Sequence, residues 1–146
     1  MTPAEAERIG RAWIAAGGGW REGMLAGGGV PRRVLFMRAE SWSSTYGYDL
    51  PLERKPGRRG PNRPPSPTRD PKAWPDFRDA ATRGAALEVV RERWGAPEGH
   101  LYPFERKAGV RSWVFRRFYG ADFTSEGDSE AAALLAALEA APKVSR

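Results

Sequence analysis

The amino-acid sequence predicts an α+β domain: a small antiparallel sheet of four to five strands in two hairpins, with three helices packed mainly on one face. Three observations predict it. Stretches 3–16, 79–94 and 129–141 carry apolar residues at helical spacing between capping and breaking residues. Stretches 20–40 and 99–120 read as paired strands folded back at glycine-bearing turns. The resulting order, α-β-β-(β)-loop-α-β-β-α, has no internal repeat, so 146 residues form one domain, 1–146.

The first helix is signalled by Thr2 as N-cap, Pro3 at the first helical position and Glu5 closing a capping box. Ala6, Ile9, Trp13 and Ala16 then recur at helical spacing until Gly17, Gly18 and Gly19 stop it. "WREGMLA" (20–26) and "RRVLFMRAE" (32–40) follow as strands around the turn "GGGVP", and "SWSSTYGYDL" (41–50) offers a third. The second helix takes Asp76 or Asp79 as cap, stacks Leu87, Val90 and Trp94 on one stripe, and ends at Gly95 and Pro97. "GHLYPFER" (99–106) and "GVRSWVFRRFYG" (109–120) form the second hairpin. The last helix has Ser125, Asp128 or Ser129 as cap and a stripe of Ala131, Leu134, Leu135 and Leu138. The expected core is Ile9, Trp13, Leu87, Val90, Trp94, Leu134 and Leu138.

Composition narrows the class. Hydrophobic residues make up 40%, with six Trp and six Phe, so the chain can bury a core. No stretch reaches the roughly eighteen consecutive apolar residues of a membrane span, and "MTPAEAERIG" lacks the apolar segment of a signal peptide. With no Cys there is no thiolate nucleophile and no Cys-based zinc site, which fits a reducing cytoplasm. The net charge of +6 favours anionic partners. Most of the cations are Arg, whose planar fork matches phosphate and stacks on rings; a GC-rich genome favours the same codons.

A reaction is not indicated. His100 is the one histidine and reads as a surface or loop residue before a strand. Asp122, Glu126 and Asp128 read as helix caps, since their spacing does not match a calcium loop. The glycine runs at 17–19 and 27–29 lack the Lys-Ser/Thr and the strand-to-helix context of a phosphate loop. No catalytic residue, metal site or cofactor is therefore expected.

Two stretches remain as binding candidates. In 51–75, eight prolines and seven cations face only Glu53 and Asp70, so the segment reads as a Pro/Arg-rich surface loop or mobile insertion. Arg54, Lys55, Arg58, Arg59, Arg63, Arg69 and Lys72 could contact phosphates there, without reading sequence. In "GVRSWVFRRFYG" the strand period puts Trp113, Phe115, Arg117 and Tyr119 on one face, and Val114, Arg116 and Phe118 on the other. Those rings suit either a core or a stacking platform. Arg117, among them, needs an anion, a ring or water.

Segments "GWREGM" (19–24), "PDFRDAATRGAALEVVRERWG" (75–95) and "SEAAALLAALEAAP" (129–142) resemble a loose group of small accessory proteins encoded by bacteriophages and prophages of GC-rich bacteria. The middle segment is the most specific, although Ala80 stands where the group tends to have Pro. The first is also faintly similar to a family of phage nucleotide sponges. The resemblance implies an anti-defence protein in the cytoplasm of a bacterial host. The expected ligand is a small anion such as a signalling nucleotide, bound by Trp20, Arg21, Arg117 and Tyr119, with self-association into a homodimer. The alternative is an inhibitor of a host defence or nucleic-acid complex (anti-CRISPR-like), or a nucleic-acid binder, acting through the basic loop. No membrane partner is expected.

Overall fold

The computed structural model describes residues 1–29, 31–37, 42–46, 50–51, 70–119 and 124–143. In chain order the elements are α1 (Pro3–Ala15), β1 (Leu25–Gly27), β2 (Arg32–Met37), β3 (Trp42–Tyr46), β4 (Leu50–Pro51), β5 (Trp74–Pro75), α2 (Ala80–Trp94), β6 (His100–Lys107), β7 (Val110–Arg116), β8 (Ser125–Gly127) and α3 (Glu130–Glu139).

The α+β class and the three helices are as the sequence predicts, but the single sheet is not. The strands form two antiparallel sheets, ordered β4-β3-β2-β1-β5 and β6-β7-β8. Their edges explain the split. Pro51 lies in β4, Pro75 in β5 and Pro103 in β6, and each of these is an edge strand. Proline has no N–H to give to a neighbouring strand, so these edges do not extend the ladder.

The helix ends follow local chemistry. Thr2 and Glu5 form the capping box, with Thr2 N donating to Glu5 Oε2 at 2.8 Å. Asp79 caps α2 through Thr82 N, and Gly95 ends it in the left-handed region at φ +58°. Ser129 caps α3. The first expected strand is shorter than 20–26, because Gly23 turns the chain at φ +92° and β1 begins only at Leu25.

Ile9, Trp13, Met24, Phe77, Val90, Phe115, Leu134 and Leu138 form the core. Leu87 and Trp94, expected inside, are only partly buried against it; Ala86 and Val89 take the inner positions of α2. Trp13 meets Phe77 edge to face at 5.3 Å.

The reading of 51–75 as surface needs correcting at its end. Ala73, Trp74 and Pro75 are buried, with Trp74 only 5% exposed. Two glycines make room for it: a Cβ on Gly27 would stand 2.6 Å from the Trp74 ring, and one on Gly10 would stand 2.5 Å from Pro75 O. Gly10 therefore sets how closely α1 crosses β5. Asp70 is also part of the fold, bonded at 3.1 Å to Arg32, a residue 5% exposed.

The five-stranded sheet is tied to α2 through one carboxylate. Arg33 donates to both oxygens of Asp79, at 2.9 and 3.1 Å. Thr82 donates to Asp79 through its backbone N–H and its hydroxyl, and the hydroxyl oxygen accepts Leu25 N at 2.8 Å. Burial raises the Asp79 pKa, but these donors outweigh it and hold the carboxyl below its ordinary value of 3.8.

Two predictions follow for stability. Gly10→Ala gains helix propensity of up to about 1 kcal/mol, but its methyl collides with backbone; a net loss of about 2 kcal/mol is expected in urea denaturation. Asp79→Ala removes a cap and takes the carboxylate from both Arg33 bonds, a loss of about 2–4 kcal/mol. Because the folded pKa is lowered, the contribution is complete above the unfolded value near 3.8 and disappears as pH falls through the folded one. The gap between wild type and Asp79→Asn should accordingly narrow below about pH 4.

Candidate functional site

The site is built at the end of β7. Register places Leu101 opposite Phe115 and His100 opposite Arg116. Phe115 is fully buried and, with Leu101, faces the helices; Arg116, Val114 and Ser112 face the other way. The strand ends at Arg116, so the expected continuation of the 113–115–117–119 face does not occur. Arg117, Phe118 and Tyr119 bend out of the sheet, with Phe118 at 50% and Tyr119 at 93% exposure.

The arginines divide into two groups. Most of those described are held by carboxylates or carbonyls. Arg32 pairs with Asp70, Arg33 with Asp79, Arg78 with Asp76 and Arg83 with Glu130, and Arg93 donates to Gly17 O. Arg116 and Arg117 rest on rings instead. Arg116 Cζ lies 4.8 Å from the Tyr102 centroid, and Arg117 Cζ lies 5.9 Å from that of Trp94. Among the described residues neither guanidinium has a carboxylate partner.

Arg117 and Phe118 join residues 94–98 in lining a cleft of about 330 Å³. That is at the small end of ligand sites, which begin near 300 Å³. The Gly95 cap turns the chain there, and Arg91 Nε fixes the turn by donating to Gly99 O at 2.6 Å. Trp94 is anchored by its Nε1, which donates to Ala137 O at 2.8 Å. Glu98, an acidic residue, lines the same cleft. A bare anion meets one attraction and one repulsion there. A ligand offering an anionic group to Arg117 and a hydroxyl or amino donor to Glu98 satisfies both.

The four expected pocket residues are not gathered into one place. Arg117 lines the cleft, and Tyr119 projects two residues beyond it. Trp20 packs partly against the core. Both terminal nitrogens of Arg21 bond the Glu92 carboxylate, which raises the Arg21 pKa and lowers that of Glu92. Glu92 and Trp94 are two positions apart on α2, about 200° around the helix, so Arg21 and Arg117 serve opposite faces. Lys72 is exposed, and its backbone N–H donates to Asp70 Oδ1 at 2.9 Å. Arg54, Lys55, Arg58, Arg59, Arg63 and Arg69 lie outside the described residues, as does Asp122.

Sequence reasoning missed Trp94 as a cleft wall and Glu98 as its acid, although a tryptophan directly before a glycine cap sits where a chain reverses. A larger cleft, 470 Å³, lies beside Trp113, Phe77, Ser129, Arg78 and Arg83. Its cations are committed: Arg78 bonds both Asp76 oxygens, and Arg83 bonds Glu130 and the carbonyls of Phe77 and Arg78. No cluster of three or more metal-ligating side chains occurs among the described residues, and no helix among them is long and apolar enough to cross a membrane. No family model, curated protein or solved structure matches the chain.

The two classes of arginine predict opposite mutational behaviour. Arg33→Ala leaves the partly buried Asp79 carboxylate with Thr82 but without its counter-charge, and should cost about 2–4 kcal/mol. Arg117→Ala, which breaks no ion pair, should stay within about 0.5 kcal/mol of wild type in the same urea titration.

Proposed function

We propose that this chain is a non-enzymatic binding protein that sequesters a small anionic ligand, a signalling nucleotide, in the Arg117 cleft. One observation carries the reading: Arg117 rests on the Trp94 ring in a cleft, with no carboxylate partner among the described residues. Phosphate would pair with the Arg117 fork, the base would find a ring surface, and ribose hydroxyls would suit Glu98. The anti-defence setting, in a bacterial cytoplasm during phage infection, rests on the resemblance of segments 19–24, 75–95 and 129–142. Self-association belongs to the same reading, since a second copy would cover Phe118 and Tyr119 and close the cleft. Calorimetry against cyclic and ADP-ribose-type nucleotides tests it. Arg117→Ala should weaken binding at least about tenfold, the scale of one charged hydrogen bond. Silence of the folded protein across the panel overturns the proposal.

A second reading is favoured by the charge of 51–75, where seven cations outnumber two acids. A nucleic-acid or host-complex partner held by that stretch would lose affinity steeply with added salt. Deleting 56–69, while keeping Asp70 for Arg32, should abolish such binding and spare nucleotide binding in the cleft. Unchanged salt-sensitive binding after the deletion removes this second reading.

A further inference from the structure

The cleft of about 470 Å³ beside Trp113 plays no part in the Arg117 site, and its walls have a chemistry of their own. It lies where the turn at Phe77 and Arg78, the first turns of α2 and α3, and β7 converge. Phe77 and Ala131 are fully buried and close it from behind. Trp113 is half-buried and shares its face of β7 with Phe115. Across the ladder from Trp113 in β8 stands Gly127, which has no side chain to lay over the indole ring. On that flank the ring is left uncovered.

The polar rim is electrically balanced. Arg78 is matched by Asp76 at 2.6 Å and Arg83 by Glu130 at 3.2 Å, so the rim presents no net charge to a phosphate. Hydrogen-bonding capacity is nevertheless left over. Arg83 donates through Nε to Glu130 Oε2 and through Nη1 to the carbonyls of Phe77 and Arg78, which fixes its guanidinium plane. Its Nη2 has no partner among the described residues, and neither has Glu130 Oε1. Both side chains remain partly exposed. The ion pair therefore offers N–H donors next to a carboxylate acceptor. Its complement is a planar ring edge with an acceptor beside a donor, as in the adjacent C=O and N–H of a nucleobase lactam.

We propose that this cleft is a second ligand site, distinct from the Arg117 cleft, which takes the uncharged base of a free nucleoside. The base lies on Trp113, its carbonyl accepts from Arg83, and its ring N–H donates to Glu130. A ring on a ring is sequence-tolerant and the edge supplies the selection. The two clefts have no lining residue in common, so either can be removed without the other.

Inosine carries that lactam edge, and purine riboside is the same nucleoside without it. The Trp113 indole N–H signal of the full-length protein, followed by ¹H–¹⁵N NMR and assigned by its loss in Trp113→Phe, should shift saturably as inosine is added to about 10 mM, a range that fills even a millimolar site. Purine riboside should bind at least about tenfold more weakly, the scale of one hydrogen bond to a charged group. Inosine 5′-monophosphate should bind no more tightly than inosine. Glu130→Ala, with folding checked by circular dichroism, should erase the preference for inosine over purine riboside and, by freeing Arg83, make the monophosphate the tighter ligand. Glu130→Gln, which keeps the shape of the side chain, should move both preferences the same way to a smaller extent. Arg117→Ala should change none of these results, whatever it does to nucleotide binding in its own cleft. The proposal falls if the Trp113 signal does not move with inosine. It falls if purine riboside or indole binds as well, since the cleft is then only an apolar slot. It also falls if the monophosphate binds more tightly to the unmutated protein, or if neither Glu130 variant alters the preference.

Discussion

The Asp79 carboxylate is the constraint on which most of the architecture depends. It closes the first turn of α2, receives both arms of Arg33 from β2 and takes the Thr82 hydroxyl, whose oxygen in turn accepts Leu25 N from β1. Arg33 also donates to Gly23 O, fixing the turn that precedes β1. A carboxylate so placed is costly to bury alone, and its donors are costly to bury without it. The sheet and the helix are thereby obliged to arrive together. Trp13, Phe77 and Val90 then pack where that junction puts them.

The same logic governs the rest of the charge. Arginines that cross between elements each meet an acid or a carbonyl: Arg32 at Asp70, Arg83 at Glu130, Arg93 at Gly17. These contacts hold the chain together and leave little positive potential for a partner. The excess cations of a chain with net charge +6 must therefore stand elsewhere. Two of them, Arg116 and Arg117, stand on rings at the end of β7. A guanidinium on a ring keeps its hydrogen-bonding fork open in a way that a salt-bridged one does not.

What was legible in the sequence was local. The Thr2–Glu5 box, the Asp79 and Ser129 caps and the Gly95 stop act within four residues; the box and the stop are where the sequence pattern placed them, and the structure selects Asp79 over Asp76 and Ser129 over Ser125 and Asp128. The hairpin turns before β2 and β7 are equally local. What was illegible joins distant residues. Nothing near Arg21 announces Glu92, 71 positions away, and that bond removes Arg21 from the expected pocket. Trp74 looked like part of a Pro-rich surface stretch because its two receiving glycines, Gly10 and Gly27, are far from it in the chain. The division into two sheets was legible in principle, through prolines 51, 75 and 103, but only once the strands that carry them were known to be edges.

The stretch "GVRSWVFRRFYG" serves both core and surface, and the boundary between the roles is a matter of strand length. While β7 lasts, its period of two sends Phe115 toward the helices and Arg116 to the opposite face, where Val114 and Ser112 are also buried. Had it continued, Arg117 would have pointed at the helices, where a charge without an acid is expensive. Ending the strand at Arg116 avoids that burial and delivers Arg117 to the flank of Trp94, at the close of α2. With Arg117 kept out of the core, it and Phe118 form one wall of the cleft, and the Gly95 cap, by turning the chain at the same point, supplies the other.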